Sequence, residues 1–173
     1  KAQFETNFFG VVKMVKAVLP SMRQQKQGQI INVSSLSGLS SIPFMGIYSA
    51  SKFALEGYTE ALRLEVQPFN IHVSLTEAGF LKTPMMDKRQ TSAALVNEYD
   101  PWRRRAFTAI REKEEKAPGP QLVAETILEI ITSKTPRLHY LIGSQARFVS
   151  GLQLFLPEGA YERAKMGNFG LGK

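Results

Sequence analysis

Tyr48 and Lys52 stand four residues apart in I-Y-S-A-S-K-F-A-L-E-G. On a helix that spacing puts both side chains on one face, one turn apart. A phenol with a free pKa near ~10 is a poor acid or base at neutral pH. An ammonium beside it favours the phenolate and lowers that pKa. The pair is then a tunable proton donor and acceptor. Taken alone, Y-x-x-x-K also describes an ordinary tyrosine–lysine pair on a helix surface. Ser35 adds weight. It lies thirteen residues before Tyr48, in N-V-S-S-L-S-G, directly past a short apolar run. There its hydroxyl can donate to a substrate oxygen that the tyrosine also reaches. The competing reading is a loop serine bonded to local backbone, and Ser34 and Ser37 are read that way. Asn7, in T-N-F-F-G, lies in an otherwise apolar helical stretch. Phe8, Phe9 and Gly10 crowd it, so its amide is expected to face inward and to need partners.

These residues need elements to hold them. Apolar positions at Phe8, Val11, Val12, Val15, Val18 and Leu19 predict a helix over 6–25, disturbed at Pro20 and ended by Gly28. The β-branched run 29–33 predicts a buried strand, and the small residues of 34–46 a loop. A second helix is predicted over 48–66, then a strand over 71–76 after Pro68 and Asn70. Residues 81–120 are irregular, with helical pieces at 92–99 and 102–116. A helix over 121–133, a strand over 138–142 and a last helix over 147–156 follow. Alternating strands and helices predict an α/β fold, with a parallel sheet covered on both faces. Ligands of such sheets bind beyond the carboxyl ends of the strands. The loops after Val33, Thr76 and Ile142 are therefore where chemistry is expected.

The 173 residues are the size of one domain, taken as 1–173, with no internal repeat. Zero cysteines exclude disulfides, thiolate metal sites and cysteine nucleophiles. No metal site is expected. Their absence also fits a reducing compartment, and a cytoplasmic location is expected. No apolar run approaches the ~18 residues of a membrane span. The net charge of +7 raises the question of a nucleic-acid partner. The densest cluster, Arg103 to Arg105 with Arg111, Lys113 and Lys116, is interleaved with Glu112, Glu114 and Glu115, which describes a solvated helix face instead.

T-N-F-F-G, L-P-S-M, G-Q-I-I-N-V-S-S-L-S-G and Y-S-A-S-K-F-A-L-E-G-Y-T-E-A-L-R-L-E, in that order and spacing, resemble the short-chain dehydrogenase/reductase family. F-A-L-E-G after the lysine resembles its hydroxysteroid and retinol dehydrogenase branches. The likeness runs from Asn7 through at least Thr83. It implies a Rossmann-like doubly wound parallel sheet. It also implies an oxidoreductase that uses NAD or NADP to interconvert an alcohol and a ketone or aldehyde by hydride transfer. By that resemblance Tyr48 is the general acid/base. Lys52 lowers its pKa and bonds the nicotinamide ribose, Ser35 holds the substrate oxygen, and Asn7 positions a water linking Lys52 to solvent. The family carries Pro-Gly after the next strand, with a threonine four residues past the glycine. Gly79 and Thr83 match, and Ala78 stands in place of the proline. Ala78, Gly79, Leu81 and Thr83 are thus implied to meet the cofactor. The stretch 84–118 corresponds to a variable substrate loop. Its Met85, Met86, Leu95, Tyr99, Trp102 and Phe107 are read equally as pocket lining or as packing. The implied partners are an apolar alcohol or carbonyl substrate and further copies of the chain, as a dimer or tetramer packed through the helices of Asn7 and Tyr48.

Four other patterns are set aside. Gly167 to Lys173 has phosphate-loop spacing but no following Ser/Thr and is read as a flexible tail, within a tail taken as 158–173. Ser49 to Lys52 fits S-x-x-K without its companion motifs. The sequon at Asn32 falls in a buried strand. His72 and His139 fall in strands without a partner cluster. The glycine-rich turn that binds a dinucleotide's phosphates follows no strand here. Residue 1 is therefore expected to lie mid-protein, with the first βαβ portion of the fold absent. Two hypotheses remain: the catalytic half of an oxidoreductase, or a non-catalytic fragment or interaction module that cannot hold a dinucleotide alone.

Overall fold

The computed structural model describes residues 1–85 and 96–172. The three apolar runs form the strands β1 (Gly28–Val33), β2 (Ile71–Ala78) and β3 (His139–Ile142). They pair in parallel in the order β1-β2-β3, with Ile30 opposite Val73 and Thr76 opposite Tyr140. This is the expected parallel α/β sheet.

The chain enters helically earlier than its apolar spacing predicted. A single turn, α1 (Ala2–Phe4), runs into a π-helical segment, Glu5–Phe9, and then into α2 (Gly10–Gln25), which carries Pro20 inside it. Lys26 ends α2 in the left-handed conformation, φ 50°, and its N–H bonds the Met22 and Arg23 carbonyls. Helix α3 (Gly46–Val66) joins β1 to β2. Helices α4 (Asp100–Glu115) and α5 (Gln121–Thr132) lie between β2 and β3; α6 (Ser144–Phe155) and α7 (Glu158–Asn168) close the described chain.

Alternation along the strands sorts the helices onto two faces. Ile30, Ile71 and Val73 pack with Val15 of α2 and with Leu62 and Val66 of α3. Gln29, on the opposite face of β1, donates from Nε2 to the Ile130 carbonyl of α5 at 2.8 Å. So α2 and α3 cover one face and α5 the other, and burial on both faces leaves β2 buried nearly throughout, its polar Ser74, Thr76 and Glu77 included. Asn32, 6% exposed, donates to Thr59 Oγ1 at 2.9 Å, which keeps the sequon inside the fold.

Residues 158–168 of the expected tail form a helix. Tyr161 and the buried Phe169 anchor it, and Gly170 adopts φ 68° against Arg105. These anchors are too sparse to show a helical period.

Candidate active site

A cavity of about 930 Å³ opens at the carboxyl ends of β1 and β2. Tyr48, Lys52 and Ser35 all line it, as do Ala78, Gly79, Leu81 and Thr83. Tyr48 is half-buried in the first turn of α3, and Lys52 follows one turn later. Lys52 Nζ donates to the Val33 carbonyl at the end of β1, at 2.9 Å. Burial holds its pKa below the usual lysine value, against the pull of the Glu56 carboxylate a further turn along α3.

Ser35 caps a short 3-10 turn, Leu36–Gly38, and its Oγ accepts from Ser37 N at 3.1 Å. Accepting leaves its own O–H to donate into the cavity. The local bond of Ser35 is therefore compatible with a donor role toward the cavity. Ser34 departs from the expectation of a local bond: its buried Oγ accepts and donates no hydrogen bond of normal geometry. It lies beside Gly38 and Glu56, where a Cβ on Gly38 would fall 3.0 Å from Ser34 Oγ and 2.9 Å from Glu56 Oε1.

Asn7 lies outside the cavity wall, behind α3. Its amide faces inward as expected, and Nδ2 donates to Ser51 Oγ at 3.1 Å. Ser51 in turn donates to the Tyr48 carbonyl at 2.7 Å. A π-helical turn makes this reach possible, because the extra residue rotates Asn7 relative to α2; such turns often sit at functional sites.

The 78–83 loop is tied down at two points. Gly79 N donates to the Ile142 carbonyl at 3.2 Å, and Lys82 N to the Pro118 carbonyl at 2.9 Å. Of the candidate pocket residues in 84–118, Met85 lines the cavity. Met86 and Leu95 lie outside the described residues. Tyr99 and Phe107 contact the Phe44 ring, and Trp102 lies under the Arg105 guanidinium, 5.3 Å from it. Among the described residues these three do not line the cavity.

Sequence reasoning missed a cluster around His139, which corrects the view that it has no partners. Its Nδ1 lies 2.5 Å from Glu77 Oε1 and 4.0 Å from Glu56 Oε2, and its Nε2 lies 3.7 Å from Glu60 Oε1. Glu77 is fully buried and its second oxygen accepts from Tyr140 N at 2.9 Å. Both oxygens of Glu56 are buried without a well-formed hydrogen bond. Its pKa is pushed up to about 7, mainly by burial; the Ser34 hydroxyl lowers it and the Glu77 carboxylate raises it. Burial also raises the Glu77 pKa, against the His139 contact. One signal was present: Tyr48, Lys52, Glu56 and Glu60 recur every fourth residue, so they share a stripe of α3.

The sequence and the fold match known proteins. Residues 1–94 match the short chain dehydrogenase family model. The chain belongs to the short-chain dehydrogenase family. It is 43% identical over 143 residues to a 3-ketodihydrosphingosine reductase of Bacteroides thetaiotaomicron, covering 82% of this chain and 53% of that protein. It is 39% identical over 165 residues to retinol dehydrogenase 8 of Bos taurus, covering 91% and 53%. A short chain dehydrogenase/reductase from Burkholderia phymatum, solved in complex with NAD, superposes with a TM-score of 0.70 at 25% identity, over 87% of this chain and 56% of that one. The chain thus spans about half the length of the curated relatives it matches, and its fold is the Rossmann-type fold of this family. Among the described residues no helix is long and apolar enough to cross a membrane.

Proposed function

We propose that the complete protein is an oxidoreductase interconverting an alcohol and a ketone or aldehyde with NAD or NADP, and that this chain supplies its acid–base group and its substrate cavity. The observation that carries this is the meeting of Tyr48, Lys52 and Ser35 on one cavity wall at the strand ends.

The residues present fit a nicotinamide. A volume of about 930 Å³ has room for such a ring beside a substrate, and the 78–83 loop runs along it. Lys52, with the backbone of Gly79 and Leu81 and the Thr83 side chain, would hold it. The bound nicotinamide supplies the hydride chemistry. In the reducing direction the Tyr48 hydroxyl gives its proton to the substrate oxygen. The Lys52 ammonium stabilises the phenolate left behind. The Ser35 O–H donates to the same oxygen and fixes the angle at which Tyr48 meets it. In the oxidising direction the phenolate takes the alcohol proton. A homodimer or homotetramer completes this reading.

The test is a hydride-transfer screen of the complete protein against alcohols, ketones and retinoids with both cofactors. Tyr48→Phe keeps the ring and removes the titrating proton. Turnover is expected to fall by a factor of ~10² or more, while NAD(H) or NADP(H) still raises the melting temperature. Wild-type turnover in the variant would remove Tyr48 from the mechanism. A protein that neither turns over any carbonyl nor gains stability with either cofactor would instead be the non-catalytic module.

A further inference from the structure

The reaction above leaves two charged groups of the cavity wall unused, Glu114 and Lys165. Tyr161, Ala164, Lys165 and Asn168 line the cavity from α7, and Phe169 follows them. Their spacing of three and four residues puts them on one helix face. That face docks on the loop after β1 through side chains alone: Tyr161 and Ser40 share a hydrogen bond of 2.5 Å, and Lys165 Nζ donates to Ser41 Oγ at 3.1 Å. The ammonium also lies 5.5 Å from the Tyr161 ring centroid.

An ammonium carries three donors, and one of Lys165's is used on a neutral hydroxyl. Lys165 forms no ion pair among the described residues, whereas the cavity's Glu114 is engaged in an interaction of its own. Burial holds the Lys165 pKa below the usual lysine value, so the group is partly stripped of water. Around it the wall is mostly apolar, with Val123, Ile127, Phe148 and Leu152 among its members. A partly desolvated cation gains from a bound group that supplies the opposite charge. The complement is a single negative charge. A lone lysine acts as a point charge and offers no planar fork, so a carboxylate suits it better than a phosphate held bidentately.

We propose that Lys165 and Ser41 form a carboxylate subsite in the substrate cavity, so that the preferred substrate is an apolar oxo- or hydroxy-acid. This rests on the oxidoreductase reading of the same cavity. The Lys165 ammonium would pair with the carboxylate while the carbon chain lies along the α5 and α6 walls and the carbonyl meets Tyr48. The subsite would then set which molecules reach the acid–base pair.

The experiment uses the complete protein with matched pairs, a long-chain oxo-acid and its methyl ester, in the wild type, Lys165→Met and Lys165→Arg. Methionine keeps the length and apolar stem but loses the charge. The acid-to-ester ratio of kcat/KM is expected to favour the acid in the wild type. It should fall roughly tenfold or more in Lys165→Met, as loss of a charged hydrogen bond implies, and recover in Lys165→Arg. In parallel, calorimetric titration with a fatty carboxylate and with the matching fatty alcohol reads binding without turnover. Carboxylate binding lost in Lys165→Met alone supports the subsite even if no hydride transfer is found, which would sink only the oxidoreductase reading. Turnover with an acid-to-ester ratio near one in all three proteins, or equal binding of acid and alcohol, overturns the subsite and leaves the oxidoreductase reading standing.

Discussion

Glu56 makes the clearest demand at the scale of single residues. It is 5% exposed, both its oxygens are buried, and a second carboxylate, Glu77, faces it. A neutral carboxyl relieves that arrangement, consistent with a pKa pushed up to about 7. The sign of its linkage to folding follows. In the unfolded chain Glu56 ionises around 4.5, whereas in the folded chain it keeps its proton until about 7. Between those values the folded state binds more protons, so stability falls as pH rises. The loss is of order 3 kcal/mol once the group is fully ionised. Glu77, also raised, adds to it with the same sign. Thermal melts of the complete protein between pH 5 and pH 8 should therefore show a falling Tm. Glu56→Gln, neutral at every pH, should flatten that fall. Parallel slopes in the wild type and the variant would mean that Glu56 finds compensation for its charge.

At the scale of elements, the π-helical turn and α3 are joined by a chain of three groups. Asn7 donates to Ser51, and Ser51 donates to the Tyr48 carbonyl. Ser51 is fully buried, so Ser51→Ala strands the Asn7 amide without its acceptor. Leaving a fully buried donor unsatisfied costs ~1–3 kcal/mol, and the half-buried Asn7 amide should lose about 1 kcal/mol, the low end of that range. Urea unfolding of the complete protein should read that loss, and an unchanged midpoint would show that water replaces Ser51. The 3-10 turn after β1 is as tightly bound to α3. Gly38→Ala would place its Cβ 2.9 Å from the Glu56 Cγ, and Glu56 has no exposed space to retreat into. Overpacking of this kind costs ~1–3 kcal/mol. The expected signature is a lower Tm together with a changed pH slope, because the displaced group is the one that titrates; a Tm equal to wild type would place free volume beside Gly38. These elements also show what can be read from sequence. Tyr48, Lys52 and Ser35 were legible because helical spacing and one strand end are local facts. The partners of His139 were not, because Glu77 reaches it across a strand pair 62 residues apart in the chain. Nor was α7, whose place depends on a hydroxyl pair separated by 121 residues. Sequence periodicity reports a helix that buries a stripe, and α7 buries little beyond Phe169.

At the scale of the whole molecule, the sheet has two edges among the described residues. β2 is flanked on both sides, whereas β1 and β3 have one strand partner each. Val33, at the end of β1 and bonded to Lys52, is half exposed. The outer surfaces of α2 and α3 add Met14, Ile47, Phe53 and Leu64, all exposed. An unpaired strand edge beside apolar surface is a template for pairing with another chain. The net charge of +7 opposes such association through repulsion, a long-range effect that salt screens. The two effects separate experimentally. The 173-residue chain prepared alone should bind a hydrophobic dye, and its sedimentation should show self-association at concentrations on the order of 10 μM, increasing as salt is added. The complete protein should bind less dye per mole under the same conditions. Salt-driven association identifies apolar surface and sheet edge as the adhesive parts and charge as the brake. A monomeric, dye-silent chain at high salt would mean that the exposed side chains of β1, α2 and α3 are too dispersed to act as one surface.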